Sequence, residues 1–72
     1  MTTKEIKIRD DEEYITLNVL LKITNLISTG GMAKIFLQNN DVFVNEIKED
    51  RRGRKLYRED TVKVGNKMFI IK

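Results

Sequence analysis

The stretch Ser28–Asn45, STGGMAKIFLQNNDVFVN, decides the fold, because its apolar residues change from helical to strand spacing. Ser28 or Thr29 can cap a helix, and the two glycines that follow permit a tight entry into it. The apolar residues of Met32–Leu37 then fall at helical spacing, with Met32, Ile35 and Phe36 as the predicted stripe. Asn39–Asp41 is predicted to end this helix, because asparagine tolerates the left-handed conformation that follows many helices.

A first helix is predicted upstream, within Tyr14–Ile27. Its apolar residues alternate like those of a strand, but Leu17, Leu20 and Leu21 also fall at i, i+3 and i+4. Ile23 and Ile27 continue this helical stripe. A run this long without a breaker favours a helix of about three turns, with Thr16 as its N-cap. Two consecutive helices predict a helical hairpin in the first half of the chain.

Short strands are predicted around this hairpin. The alternating segment Glu5–Arg9, within residues 4–10, predicts an extra N-terminal strand. Later strands are predicted at Val42–Val44, Thr61–Val64 and Met68–Ile71, with turns at Asn45-Glu46, Glu59-Asp60 and Gly65-Asn66. We therefore predict one domain over residues 1–72 with an α+β fold, in which a helical hairpin packs on a small, mainly antiparallel β-sheet.

The composition argues against several functions. The 72 residues are 40% hydrophobic and 35% charged, and they include no cysteine and no histidine. The chain therefore lacks thiolate ligands and the commonest general base, so we predict no catalytic residue, no metal site and no cofactor. The apolar runs are too short to cross a bilayer and no signal peptide is visible, so we expect a cytoplasmic protein with no membrane partner.

Positive charge is concentrated in Arg51–Arg58, RRGRKLYR, which has five basic residues and no acidic one. The planar guanidinium group of arginine can donate two parallel hydrogen bonds to a phosphate. Gly53 lets a ligand approach the backbone, and the Tyr57 ring can stack on an unpaired base. A solvated loop partly neutralised by Glu49 and Asp50 is the alternative. The acidic run of residues 10–13 predicts a solvated loop on a different face of a polarised molecule. The candidate nucleic-acid contacts in the basic segment are Arg51, Arg52, Arg54, Lys55 and Tyr57.

A helix N-terminus and a turn supply further candidates. Thr29, Gly30 and Gly31 precede a helix whose free amides can face a phosphate, and Lys34 lies one turn further on. The alternative is a tight connection between two helices. Asn45 can contact a sugar or a base edge, or can only shape the turn after its strand.

The segments Ser28–Lys34, Ile35–Leu37 and Val42–Asn45 together resemble the S-four RNA-binding domain, also called the alpha-L motif. The resemblance covers about residues 15–71, and the whole chain is most similar to small stand-alone bacterial members called YaaA. The residues that match the family pattern are Ala33, Val42, Val44, Asn45 and Asp60. The residues that depart from it are Gly30, where the family has arginine, and Glu46 and Glu59, where it has glycine.

The resemblance and the basic segment together predict a non-catalytic protein that binds structured RNA. The first candidate ligands are rRNA and tRNA. Ribosome-associated or replication-associated proteins are further candidate partners. The alternative is a protein-interaction or DNA-associated module linked to replication or repair. Changing Arg51, Arg52 and Arg54 to alanine is expected to weaken RNA binding, to flatten its dependence on salt and to leave the thermal midpoint almost unchanged.

Overall fold

The computed structural model describes residues 2–72 and has an α+β architecture. Its helical elements are α1 (Leu17–Ile23), a 3₁₀ turn (Gly30–Met32) and α2 (Ala33–Asn39). Its strands are β1 (Thr2–Ile6), β2 (Tyr14–Thr16), β3 (Val42–Val44), β4 (Ile47–Lys48), β5 (Lys55–Tyr57), β6 (Thr61–Val64) and β7 (Lys67–Ile71).

The strands form two sheets. A five-stranded sheet has the order β1-β7-β6-β3-β4, and a two-stranded sheet joins β2 to β5. Within residues 2–72, only β1 and β7 pair in parallel, while the other neighbouring strands are antiparallel. The predicted α+β class with a mainly antiparallel sheet is thus confirmed.

The core lies between the helices and the inner face of the large sheet. Leu17, Leu20 and Leu21 are fully buried, as predicted, but Ile23, which belongs to the same predicted stripe, is 55% exposed. In α2, however, the buried residues are Ala33 and Leu37. The stripe predicted from Met32, Ile35 and Phe36 is wrong at Met32 and Ile35, which are 45% and 60% exposed, whereas Phe36 is partly buried against the core. Two turns of helix are too short for apolar spacing to identify the buried face.

The first helix begins later than predicted. Residues Tyr14–Thr16 form β2, and the predicted cap is confirmed because Thr16 Oγ1 accepts a hydrogen bond from the Val19 amide at 3.4 Å. The alternating pattern of these residues fits a strand, and β5 supplies the partner that stabilises it.

The first helix also ends earlier than Ile27. Asn25 has a φ of 63°, its amide bonds to the Lys22 carbonyl at 3.0 Å, and the Leu26 amide bonds to the Leu21 carbonyl at 3.0 Å. This pair of hydrogen bonds is the Schellman motif, which satisfies the last carbonyls and turns the chain away. Asn25 is therefore the breaker that the sequence analysis missed.

The connection between the helices differs from the predicted hairpin, whose detail is not confirmed. Residues 24–29 and the 3₁₀ turn separate two helices of seven residues each. The second helix ends near Asn39, as predicted, but Asn40 is extended rather than left-handed. The Asn39 and Asn40 side-chain amides instead donate to the carbonyls of Ile35 and Phe36, both at 3.0 Å.

The N-terminal strand is displaced from the prediction. It spans Thr2–Ile6 rather than Glu5–Arg9, and pairs residue by residue with β7 from Lys67 to Ile71. Hydrogen bonding continues just past the strand, since the Lys72 amide donates to the Ile6 carbonyl at 2.8 Å and the Ile8 amide donates to the Lys72 carbonyl at 3.4 Å.

Two-residue turns join β3 to β4 and β6 to β7. In the β3–β4 hairpin, Asn45 and Glu46 have φ values of 51° and 71°, which is the pattern of a type I′ turn. Gly65 has a φ of 60° at the first position of the β6–β7 turn. Glu59 has a φ of 76°. Glu46 and Glu59 are the two residues that stand where the resembled pattern has glycine, and both place a side chain on left-handed backbone.

Changing Glu46 to glycine is expected to raise the free energy of unfolding by about 0.5–1 kcal/mol, because it removes a side chain from a left-handed conformation. Chemical denaturation measures this change. Gly65→Ala is the matched control and is expected to shift stability in the opposite direction by a similar amount. A Glu46→Gly protein that is less stable than the wild type would contradict the role assigned to this turn.

Candidate nucleic-acid interface

The basic segment is a turn followed by a strand rather than one loop. Residues 51–54 form the turn, closed by a hydrogen bond from the Arg54 amide to the Arg51 carbonyl at 3.2 Å. At the start of α1, the Leu17 amide donates to the Arg54 carbonyl and the Asn18 amide donates to the Arg52 carbonyl, both at 2.9 Å. These bonds satisfy otherwise unpaired amides of the helix and fix the turn against its N-terminus.

A buried carboxylate organises the arginines of this turn. The Glu49 side chain is only 6% exposed and accepts hydrogen bonds from Arg51 Nε at 2.9 Å and Nη2 at 3.1 Å. It also accepts from the Arg51 amide at 3.1 Å and from Arg54 Nη1 at 2.8 Å. The hydrogen bonds from the Arg51 side chain, with those from Arg54, lower the pKa of Glu49 to about 2 against the opposing effect of burial. Glu49 raises the pKa of Arg51 in turn.

These ion pairs change the outcome expected for the triple alanine variant. Removing the Arg51 and Arg54 side chains would leave the buried Glu49 carboxylate without a cation and with only the backbone amide of residue 51 as a donor. This loss is strongly destabilising, so the thermal midpoint should fall. Arg52 differs from both, since its exposed side chain makes no hydrogen bond or ion pair with any part of residues 2–72. Arg52 is therefore the arginine that can test binding separately from folding.

An open groove lies along this segment. It has a volume of about 510 Å³ and is lined by Arg51, Gly53, Arg54, Lys55 and Tyr57. A side chain added at Gly53 would meet no atom within 4 Å, so the groove is open on that side. The structure thus brings together four of the five predicted contacts of the basic segment, while Arg52 lies in the same turn.

Two tyrosines lie beside the groove. Tyr57 in β5 is directly opposite Tyr14 in β2, with ring centroids 5.7 Å apart at an angle of 53°. Lys55 Nζ lies 5.0 Å from the centroid of the Tyr14 ring. Sequence analysis placed Tyr14 in a helix and did not consider it for the interface. The alternation of residues 14–17 was the available signal.

The diglycine turn is a neighbour of the basic turn. A side chain at Gly30 would approach Asn18 Nδ2 to 3.3 Å, and the Asn18 backbone amide is bonded to the Arg52 carbonyl. A larger residue at position 30 would therefore require the Asn18 side chain to shift by a few tenths of an ångström. Thr29 occupies the N-cap position of the 3₁₀ turn with a φ of −135°, but its side chain makes no capping hydrogen bond. Lys34 is exposed on α2.

Asn45 shapes its turn and connects it to Tyr57. Its Nδ2 donates to Asp60 Oδ1 at 3.1 Å, and its Oδ1 accepts from the Thr61 amide at 2.9 Å. Asp60 Oδ2 accepts from the Tyr57 amide at 2.9 Å. A direct contact of Asn45 with RNA stays a prediction, since its amide is already engaged on both sides.

The acidic loop of residues 10–13 was predicted to lie on a different face from the basic segment, but it contacts the end of that segment. Arg58 donates from Nη1 to the Glu12 carbonyl and from Nη2 to the Arg9 carbonyl, both at 3.1 Å. The loop is thereby attached to the end of β5.

Across residues 2–72, no group of acidic side chains has a geometry able to hold a metal ion. Among the same residues, no helix has the length and apolar character needed to span a membrane.

The fold and this basic interface define a class of protein. The S4 domain family model matches residues 6–72, so the chain belongs to the S4 domain family, which confirms the resemblance read from the sequence and indicates an RNA-binding role. The chain is also similar to the probable ribosome maturation protein RlbA of Bacillus subtilis (strain 168). The two are 50% identical over 54 residues, which cover 75% of this chain and 76% of the relative.

Proposed function

We propose that this chain is a non-catalytic, cytoplasmic protein that binds structured RNA, with rRNA as the first candidate and tRNA as the second. The observation that carries the proposal is the open groove in which Arg51 and Arg54 are oriented by the buried Glu49. The similarity to a protein named for ribosome maturation supports rRNA. No cofactor takes part in this function.

Phosphate binding follows from the donors that the groove leaves free. Arg51 uses Nε and Nη2 for Glu49, and Arg54 uses Nη1, so each guanidinium retains N–H groups for a second acceptor. Two arginines share one carboxylate, so the cluster keeps a net positive charge. Arg52 and Lys55 add two more charges beside it. A duplex bound in this way is recognised by its shape and backbone more than by its sequence.

The diglycine turn supplies the proposed second contact. It adjoins the basic turn through Asn18, so the amides of Gly30 and Gly31 can take a neighbouring phosphate. Thr29 and Lys34 flank this position. Asn45 is proposed at the far edge, where its link through Asp60 holds the backbone of Tyr57.

Fluorescence anisotropy with a labelled rRNA hairpin tests the proposal. With three to five phosphate contacts, the slope of log affinity against log salt is expected to be roughly −2 to −4. Competition with unlabelled duplex DNA of the same length measures the preference for RNA. Absence of binding at low salt, or affinity that does not change with salt, would contradict the proposal.

A second candidate function is protein interaction, with ribosome-associated or replication-associated partners. It is favoured by exposed Met32 and Ile35, which line an apolar groove of about 240 Å³ with Leu26 and Phe36. Pull-downs from cell extract with and without nuclease distinguish the two. Partners lost on nuclease treatment support RNA binding, and partners that survive support a protein contact.

A further inference from the structure

We propose that Tyr57, supported by Tyr14 and Lys55, receives an unpaired nucleobase, so that the RNA ligand contains an unpaired nucleotide next to a duplex. This inference rests on the proposed function and specifies the RNA structure that the same interface binds. The two parts of the ligand correspond to two adjacent surfaces, since the arginine groove is suited to phosphates and the tyrosine pair is suited to a base.

The tyrosine pair is a rigid surface. On the opposite face of the β2–β5 ladder, Ile15 is paired with Leu56, and Leu56 is fully buried in the core. Strand geometry therefore directs Tyr14 and Tyr57 outward, where their side chains are 37% and 46% exposed. A base that stacks here loses its own conformational freedom, but the tyrosine side chains are already positioned and lose little of theirs.

Both ends of β5 are anchored. The Tyr57 amide donates to Asp60 Oδ2 at 2.9 Å, and the next residue, Arg58, binds two backbone carbonyls of the acidic loop. At the other end, the turn that precedes Lys55 is bonded to the N-terminus of α1. The backbone of Tyr57 is thus held near the arginines by hydrogen bonds on both sides.

Tyr57 is the residue that contacts the base, and Tyr14 is a positioning residue. Tyr57 lines the arginine groove, whereas Tyr14 lies behind it with Lys55 Nζ 5.0 Å from its ring centroid. Lys55 is held by this cation–π contact beside the groove, where it can meet the phosphate of the stacked nucleotide. A tyrosine pair that only stabilises the ladder has no need to adjoin phosphate-binding groups.

The test compares two RNA probes that differ only in an unpaired extension. One is a blunt hairpin, and the other is the same hairpin with three unpaired nucleotides at its 3′ end, one of them 2-aminopurine. The wild type is expected to bind the extended probe about tenfold more tightly, because stacking of one base contributes an effect of this order. The 2-aminopurine fluorescence is expected to fall on binding as the base stacks.

Variants then separate the base contact from folding. Tyr57→Leu is expected to lose the tenfold preference and the fluorescence change, so that the two probes bind with equal affinity. Tyr57→Phe retains the ring and is expected to keep both signals. Phe43→Leu, an aromatic substitution in β3 of the five-stranded sheet, is the matched control and should behave as the wild type.

The outcomes distinguish this inference from the proposed function. Equal wild-type affinity for both probes would overturn the inference and leave RNA binding intact. Equal loss of affinity for both probes in Tyr57→Leu would also overturn it, since that pattern indicates a structural role. A wild type that binds neither probe would overturn the proposed function itself.

Discussion

Replacing Glu49 with glutamine is expected to lower the free energy of unfolding by about 2 kcal/mol, and the thermal midpoint by roughly 10 °C. The Glu49 carboxylate is buried and accepts charge-assisted hydrogen bonds from Arg51 and Arg54. Glutamine has nearly the same shape, but it carries no charge and directs an N–H₂ group toward cationic donors. Thermal and urea denaturation at neutral pH measure the difference.

Asp50→Asn is the matched control for this variant. It removes the same charge from the adjacent position, where the side chain is exposed. It is expected to change the free energy of unfolding by less than about 0.5 kcal/mol. Equal effects of the two substitutions would show that net charge near the turn, rather than the buried ion pairs, controls stability.

The stability difference between the wild type and Glu49→Gln is expected to depend on pH. The pKa of Glu49 is about 2 in the folded protein, against 4.5 for an ordinary glutamate. Between these values the unfolded chain binds more protons, so the stabilisation is fully present above about pH 4.5 and is lost as pH falls toward 2. Denaturation curves at several pH values should therefore converge at acidic pH. A constant difference down to pH 2 would contradict the assigned pKa.

The double variant Arg52→Gln/Lys55→Gln is expected to weaken binding to a structured RNA by roughly 30-fold, which corresponds to two contacts of about 1 kcal/mol each. Arg52 is exposed, and Lys55 borders the groove without an ion pair among the described residues. Loss of two phosphate contacts should also make the salt slope shallower by roughly 2. Neither residue contacts Glu49, so the thermal midpoint should change little.

The matched control is Lys4→Gln/Lys67→Gln. These two lysines line a different groove, at the β1–β7 edge, and their removal changes the net charge by the same amount. The control is expected to keep most of the RNA affinity. If both double variants weaken binding equally, the RNA responds to total charge and the groove at residues 51–57 is not its site.

Local patterns were sufficient where an element depends on its own neighbours along the chain. The Thr16 cap and strands β3 and β6 were predicted with their observed positions, because capping and alternation are local properties. The same reasoning was wrong at Tyr14–Thr16, whose pattern fits either a helix or a strand. The partner strand, far away in sequence, resolved that ambiguity.

The candidate site was only partly visible in the sequence for a related reason. The basic segment, the family resemblance and the tyrosine in RRGRKLYR were all readable, because each is a property of residue type and order. Two residues were missed or misjudged. Glu49 was considered only as a neutralising surface charge, and Tyr14 was assigned to a helix.

By itself, the sequence determined the α+β class, the family and the concentration of positive charge in residues 51–58, since these follow from local spacing and composition. Only the tertiary structure decided which of those charges are free and what lies beside them. Burial of Glu49 binds Arg51 and Arg54, and pairing of β2 with β5 brings Tyr14 to Tyr57. Cross-strand pairing joins residues that are distant along the chain, and burial depends on how the whole chain packs. Neither property can be read from the local order of residues.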